Sequence, residues 1–267
     1  VARYAVKIYY DGRKYFGFQI QKERKTVAYE IIRALKESKL ITDPTVAKFQ
    51  AASRTDKGVS ALSQTIAFDS AQKFSMGRIN AFLPDDITAW AWCHVHEKFN
   101  PKKEAIEKNY VYIQQYESED MEVMKKASKL LIGEHDFRHF VKKAHKSCLT
   151  TLNNLEILKQ GDFIVFNFYA KSFLWEMVRR IVTILIKIGK GEVGVNFLEK
   201  LLRPTDSKIQ VIQPAPAENL LLFDIKYNLN FKIDEKARRE IMERIYREIV
   251  CCQIKKLCLE KLTSYPL

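Results

Sequence analysis

The segment Ala51-Ala52-Ser53-Arg54-Thr55-Asp56-Lys57-Gly58-Val59-Ser60-Ala61 sets a single carboxylate between two basic side chains. A carboxylate kept ionised by neighbouring cations can attack an electrophilic carbon or accept a proton. Gly58 gives the backbone a tight path just after the acid. The same Arg54, Asp56 and Lys57 can also form ordinary surface ion pairs, which contribute little. The segment by itself leaves both readings open.

Other residues carry chemistry only if the fold gathers them. Tyr110 shares a predicted strand face with Tyr112 and offers a ring and a hydroxyl; a polar-ended core tyrosine is the alternative. Arg179, on a predicted helix, is either a solvated cation or the counter-ion of an acid. Phe16 divides evenly between core packing and a pocket wall. Arg54, Lys57 and the run Lys142-Lys143-Ala144-His145-Lys146 are candidate contacts for a polyanion, or solvated charges. His94 and His96 share a strand face, and His135 and His139 lie a helical turn apart. A metal would require such groups to meet, so the expectation is structural or surface histidines and no metal. Gly189-Lys190-Gly191 is too short for a phosphate-binding loop and reads as a turn.

Around these residues the pattern alternates strands and helices. Tyr4, Val6, Ile8 and Tyr10 define a first strand, with Asp11-Gly12 as its turn. Thr26 is placed to cap a helix carrying Val27, Ile31 and Leu35. Val46–Ala52 is a short strand candidate. Leu62 to Phe68 and Ile87 to Val95 alternate more clearly. In the second half, Ser118 is placed to cap a helix through Met121, Met124, Ala127 and Leu131, with Gly133 to end it. Strands follow at Leu152–Leu158 and Phe163–Lys171, then a helix over Phe173–Ile188 and a strand at Leu220–Lys226. Asp234–Leu262 reads as a terminal helix whose Ile241, Ile245, Ile249 and Leu257 pack against the body. This order favours two α+β halves on antiparallel sheet over alternating βα units.

Among 267 residues, 47% are hydrophobic and 12% aromatic, enough for a substantial core, which argues against a wholly disordered adaptor. The net charge of +13 favours a polyanionic partner without separating RNA from DNA or an anionic membrane. Lys187 interrupts the apolar run Ile181–Ile188, so no membrane span is expected. Val1–Tyr10 reads as a strand rather than a leader. Cys93, Cys148, Cys251, Cys252 and Cys258 form no secretory framework, which points to a reducing, cytoplasmic compartment.

The ordered motifs resemble the TruA family of transfer-RNA pseudouridine synthases, in an archaeal-like rather than typical bacterial form. Tyr10-Asp11-Gly12 and Gly17-Phe18-Gln19 resemble its opening elements, with phenylalanine in place of tryptophan at Phe18. Arg54-Thr55-Asp56-Lys57-Gly58-Val59-Ser60-Ala61 resembles its catalytic signature. Asn80–Ile87, Asn109–Tyr112, Gly133–Phe140, Ser172–Arg180 and Gly189–Gly191 resemble further blocks, so the likeness runs over about Ala2–Tyr227. Ser53, Ser60 and Thr183 depart from the usual glycine, histidine and glycine.

The resemblance implies an α+β fold of two ferredoxin-like halves forming a continuous antiparallel central sheet, with a C-terminal helical extension. The expected bounds are 1–98, 99–227 and 228–267. It implies uridine isomerisation at positions 38 to 40 of the transfer-RNA anticodon stem-loop, a homodimer, and no cofactor. It also implies that Asp56 is the catalytic carboxylate, with Tyr110 and Arg179 beside it. Phe16, Arg54, Lys57, Lys142, Lys143 and Lys146 are expected to contact RNA.

Overall fold

A computed structural model describes residues 1–142, 147–203 and 212–264. The first half runs β1 (Ala2–Tyr10), α1 (Val27–Glu37), β2 (Gln50–Ala51), β3 (Ser60–Ser70), α2 (Met76–Asn80) and β4 (Ile87–Val95). The second runs β5 (Glu107–Gln115), α3 (Met121–Lys129), β6 (Gly133–Asp136), β7 (Leu149–Leu152), β8 (Asn154–Gln160) and β9 (Phe163–Ala170). It continues through α4 (Met177–Gly189), α5 (Val195–Leu202) and β10 (Leu220–Lys226). β11 (Lys232–Ile233) and α6 (Glu235–Thr263) follow.

Among the described residues, nine strands make one sheet in the order β11-β4-β1-β3-β10-β5-β9-β8, with β2 also on β3. The order β4-β1-β3-β2 of the first half recurs as β10-β5-β9-β8 in the second. The halves join where β3 meets β10, and that junction is parallel, correcting the wholly antiparallel expectation. Its cause is local: β3 leaves the Asp56 loop and β10 leaves the turn Ala217–Asn219, so both run away from the same end of the sheet.

Apolar faces of α1, through Val27, Ile31, Ala34 and Leu35, and of α4, through Met177, Ile181, Leu185 and Ile188, are buried in one continuous core with the sheet. On a second face, small residues Ala5, Ala67 and Cys93 stand in register on neighbouring strands, covered by Phe99, Tyr227, Leu229 and Phe231. Burial on both faces explains why mid-β3 is closed throughout rather than alternating.

Several local expectations are corrected. Residues 44–48 form a turn, because the Asp43 carboxylate accepts the N–H groups of Thr45 and Val46; only Gln50–Ala51 pairs as a strand. Asp120, not Ser118, caps α3, accepting from Glu122 and Val123 at 3.0 Å each. Gly133 begins β6 rather than ending the helix, which stops at Lys129. Leu152–Leu158 divides between β7 and β8. α4 starts at Met177, not Phe173, since Glu176 turns left-handed at φ 64. Thr26 sits at the start of α1 with a buried hydroxyl that makes no cap bond.

The terminal helix forms, capped by Asp234 accepting from Ala237, but the expected packing holds only at its start. Ala237 and Ile241 are buried, whereas Ile249 and Leu257 are exposed because the helix extends beyond the sheet that covers its first turns.

Candidate active site

Asp56 stands on the loop that climbs from β2 to β3, and bonds from residues outside the loop fix it. The buried Gln64 side chain brackets Ser53, accepting its N–H at 3.1 Å and donating to its carbonyl at 2.8 Å. Tyr10 and Thr55 share a hydroxyl bond of 2.7 Å, and Phe18 donates its N–H to the Thr55 carbonyl at 3.0 Å. The two glycines of the opening motifs press on this loop. A Cβ on Gly12 would lie 1.9 Å from the Val59 carbonyl oxygen, and one on Gly17, at φ 92, would lie 2.9 Å from that of Thr55. Gly58 takes φ 87, the left-handed path its position anticipated.

The acid does not pair with its sequence neighbours. Arg179 reaches it from the first turn of α4, in the other half, donating from Nη1 to Asp56 Oδ2 at 3.0 Å. Arg179 is itself held by its Nε–H on the Ala215 carbonyl at 2.6 Å. Its side chain is 12% exposed and that of Asp56 23%, so the pair is partly shielded from water while one side stays open. Trp175 donates its indole N–H to Asp56 Oδ1 at 2.9 Å.

Tyr110 lies in β5, buried, with its ring edge-on to Phe173 at 5.1 Å. Burial pushes its phenol up to about 12; a bond with Ser53 opposes that, and the charge of Asp56 adds to it. Tyr110 is therefore neutral at physiological pH and close enough to feel Asp56. Two residues earlier on the same strand face, buried Lys108 donates to the Ala52 carbonyl at 2.6 Å and to Ser53 Oγ at 3.0 Å.

Phe16 is partly exposed, with Arg24 and Lys57 4.8 and 4.6 Å from its ring centroid. Arg54 and Lys57 are exposed, and neither has a salt bridge among the described residues. Lys142 stands 4.6 Å from the Trp175 ring centroid. Lys143, His145 and Lys146 lie outside the described residues. The structure thus gathers Asp56, Tyr110 and Arg179 in one place, with Phe16, Lys57 and Lys142 beside residues of that place.

His94, His96 and His135 are engaged with partners of their own. His96 pairs with Glu104 at 2.9 Å, His94 packs on Tyr4 and Trp92, and His135 bonds the Ile132 carbonyl. No cluster of metal-binding side chains occurs among the described residues. A cavity of about 540 Å³ lined by Arg3, Lys39, Lys48 and Asp69 lies at the opposite end of β1 from the Asp56 loop.

Sequence reading missed Trp175, Lys108 and Gln64. Gln64 and Lys108 could have been found as polar residues at inward strand positions, which a core tolerates only when bonded. Trp175 lies four residues before Arg179, but nothing local to it shows a contact 119 residues away.

A family model described as tRNA pseudouridine synthase matches residues 127–228. The tRNA pseudouridine synthase A of Archaeoglobus fulgidus is 38% identical over 93% of this chain and 92% of its own. That of Methanosarcina mazei is 36% identical over 97% and 98%, and that of Thermococcus sibiricus 37% over 91% and 93%.

Proposed function

The chain belongs to the TruA family of transfer-RNA pseudouridine synthases, which are isomerases, and from that premise we propose that it acts at positions 38 to 40 of the anticodon stem-loop with Asp56 as its catalytic carboxylate. The observation that carries the reading is the ion pair from Arg179 to Asp56, made across the two halves beside Tyr110.

The reaction breaks the bond between ribose C1′ and uracil N1, turns the freed base, and joins C1′ to C5. C5 loses a proton and N1 gains one, so the formula is unchanged. No oxidant, phosphate donor or metal enters that balance, and none is assigned. Asp56 supplies a carboxylate oxygen to the sugar, either by attacking C1′ or by removing a ribose proton. Arg179 holds and compensates its charge. Tyr110, neutral and buried, walls the base pocket and places a hydroxyl where protons move between C5 and N1.

A paired uridine must leave its stack to reach Asp56, at a cost of order a few kcal/mol. Arg54, Lys57 and Lys142 are assigned to phosphates, with Lys143 and Lys146 as further candidates and Phe16 as a ring against which RNA packs. Such contacts set RNA shape and register rather than base identity. The shared strand order of the two halves supports reading them as ferredoxin-like units, 1–98 and 99–227, with 228–267 as the extension. A homodimer acting in the cytoplasm completes the proposal.

The test incubates purified protein with unmodified transfer-RNA transcripts in chelator and maps pseudouridine at nucleotide resolution. Wild type is expected to modify the anticodon stem-loop, and Asp56→Asn to lose turnover by about 10³-fold while keeping RNA affinity. Preserved turnover by Asp56→Asn would remove Asp56 from the chemistry. Modification confined to another arm would overturn the target alone.

A further inference from the structure

The bond from Trp175 to Asp56 has no part in the reading above. A tryptophan is a poor surface residue, yet this one is 49% exposed, so burial does not explain it. Its neighbours instead fix the direction of its ring. The Lys142 N–H donates to the Trp175 carbonyl at 3.2 Å, and the Lys142 ammonium stands 4.6 Å from the ring centroid. The same ammonium lies 3.5 Å from Glu176 Oε1. Glu176, the next residue, is held at φ 64 and ψ 4, a backbone state that side chains rarely adopt. Its carboxylate pairs with Arg180, both side chains under a tenth exposed. That left-handed turn lets one short segment send two donors, Trp175 and Arg179, to the two oxygens of a single carboxylate.

We infer that Trp175 is a positioning residue for the isomerisation, fixing the plane of the Asp56 carboxylate; the inference rests on the reading of Asp56 as the catalytic carboxylate. The terminal torsion of an aspartate is soft, so one donor on one oxygen leaves the group free to swing. A second donor on the other oxygen removes that rotation. Each oxygen keeps an unused lone pair for the ribose, and the reacting oxygen meets it at a fixed angle. Lys142 acts through the indole by holding the ring in place.

The test removes the N–H and keeps the shape. Benzothienylalanine, in which sulfur replaces the indole N–H, is incorporated at position 175, with Trp175→Phe and Asp56→Asn in parallel. Single-turnover rate, KM and RNA dissociation constant are measured on unmodified transfer RNA. Both Trp175 variants are expected to react about tenfold or more slowly, the usual loss for a hydrogen bond to a charged group. RNA affinity and KM should stay within about twofold, and melting temperature should be that of wild type for benzothienylalanine. A wild-type rate with benzothienylalanine overturns the inference, whatever Trp175→Phe does. Weakened RNA binding at an unchanged rate also overturns it, by assigning the ring to RNA. If Asp56→Asn itself turns over normally, the reading of Asp56 falls and takes this inference with it. An inactive Asp56→Asn beside an unimpaired benzothienylalanine enzyme defeats the positioning role alone.

Discussion

Lys108 offers the sharpest quantitative test of the site's surroundings. It is 4% exposed, bonds one carbonyl and one hydroxyl, and has no acid among the groups that perturb it. Burial, helped by the charge of Lys102, pulls its ammonium down from 10.5 to about 8. Between those two values the unfolded chain holds a proton that the folded chain has shed. Stability therefore rises with pH across that window. Below it both states are charged, and the fold carries the whole penalty, about 3 kcal/mol for this shift.

The perturbation is Lys108→Met, which keeps an aliphatic stem and removes the charge. Loss of the bonds to Ala52 and Ser53 costs about 1–3 kcal/mol at every pH. That cost cancels when each protein is compared with itself. Urea unfolding of wild type and variant at pH 7 and pH 10 then isolates the titration. Wild type should gain about 2.5 kcal/mol relative to Lys108→Met between the two. Parallel pH profiles would refute the argument, since they would mean that no unpaired charge is carried into the core at neutral pH. The loop should keep its place through the titration, because a neutral amine still has two N–H groups for its two acceptors.

Three further outcomes follow from the same geometry. Gly12→Ala drives a methyl into the Val59 carbonyl, so the Asp56 loop must shift; turnover should fall far more than RNA affinity, and wild-type turnover would contradict the close approach. Glu176→Gln removes the charged partner of buried Arg180 and should lower unfolding free energy by about 1.5–3 kcal/mol, read by urea denaturation. Tyr110→Phe keeps the contact with Phe173 and removes a hydroxyl that is neutral below about 12; RNA affinity should hold while turnover drops, and unchanged turnover would leave only a stacking role.

What the sequence made legible follows from the range of the forces involved. Period-two patterns placed β1, β4 and β9 as strands, because the face packed on the helices writes its apolar alternation into the strand, but they did not show the second buried face that takes Ala5 and Cys93. Helix starts were less legible. Asp120 and Ser118 are equally good caps on paper, and what separates them is a backbone turn at Ser118, φ 69, set by the chain around it. For α6 the periodicity is visible but the extent of the sheet beneath it is not, so the pattern predicts packing at Ile249 and Leu257, which are exposed among the described residues. The meeting of Asp56 and Arg179 depends on the parallel junction of β3 and β10, whose registered pairs Leu221–Ser60 and Leu222–Ala61 are each 161 residues apart in the chain. No local pattern encodes that; only the resemblance anticipated it.

The three departures from the family pattern fall on residues that brace the Asp56 loop and the Arg179 segment rather than on the carboxylate itself. Ser53 Oγ accepts a hydrogen bond from Lys108, and Ser60 Oγ accepts one from the N–H of Gly12 at 3.0 Å. Thr183 offers its hydroxyl to the Arg179 carbonyl and to that of Gln213, on the same stretch that holds the Arg179 guanidinium. None of the three touches the Asp56 carboxylate, and each adds a bond between an element that holds it and a neighbour. A glycine at position 53 would leave Lys108 a single acceptor, and a glycine at 183 would release the tie to Gln213. Substitutions at these positions therefore redistribute the restraints on the loop and on Arg179 while the acid keeps its two donors.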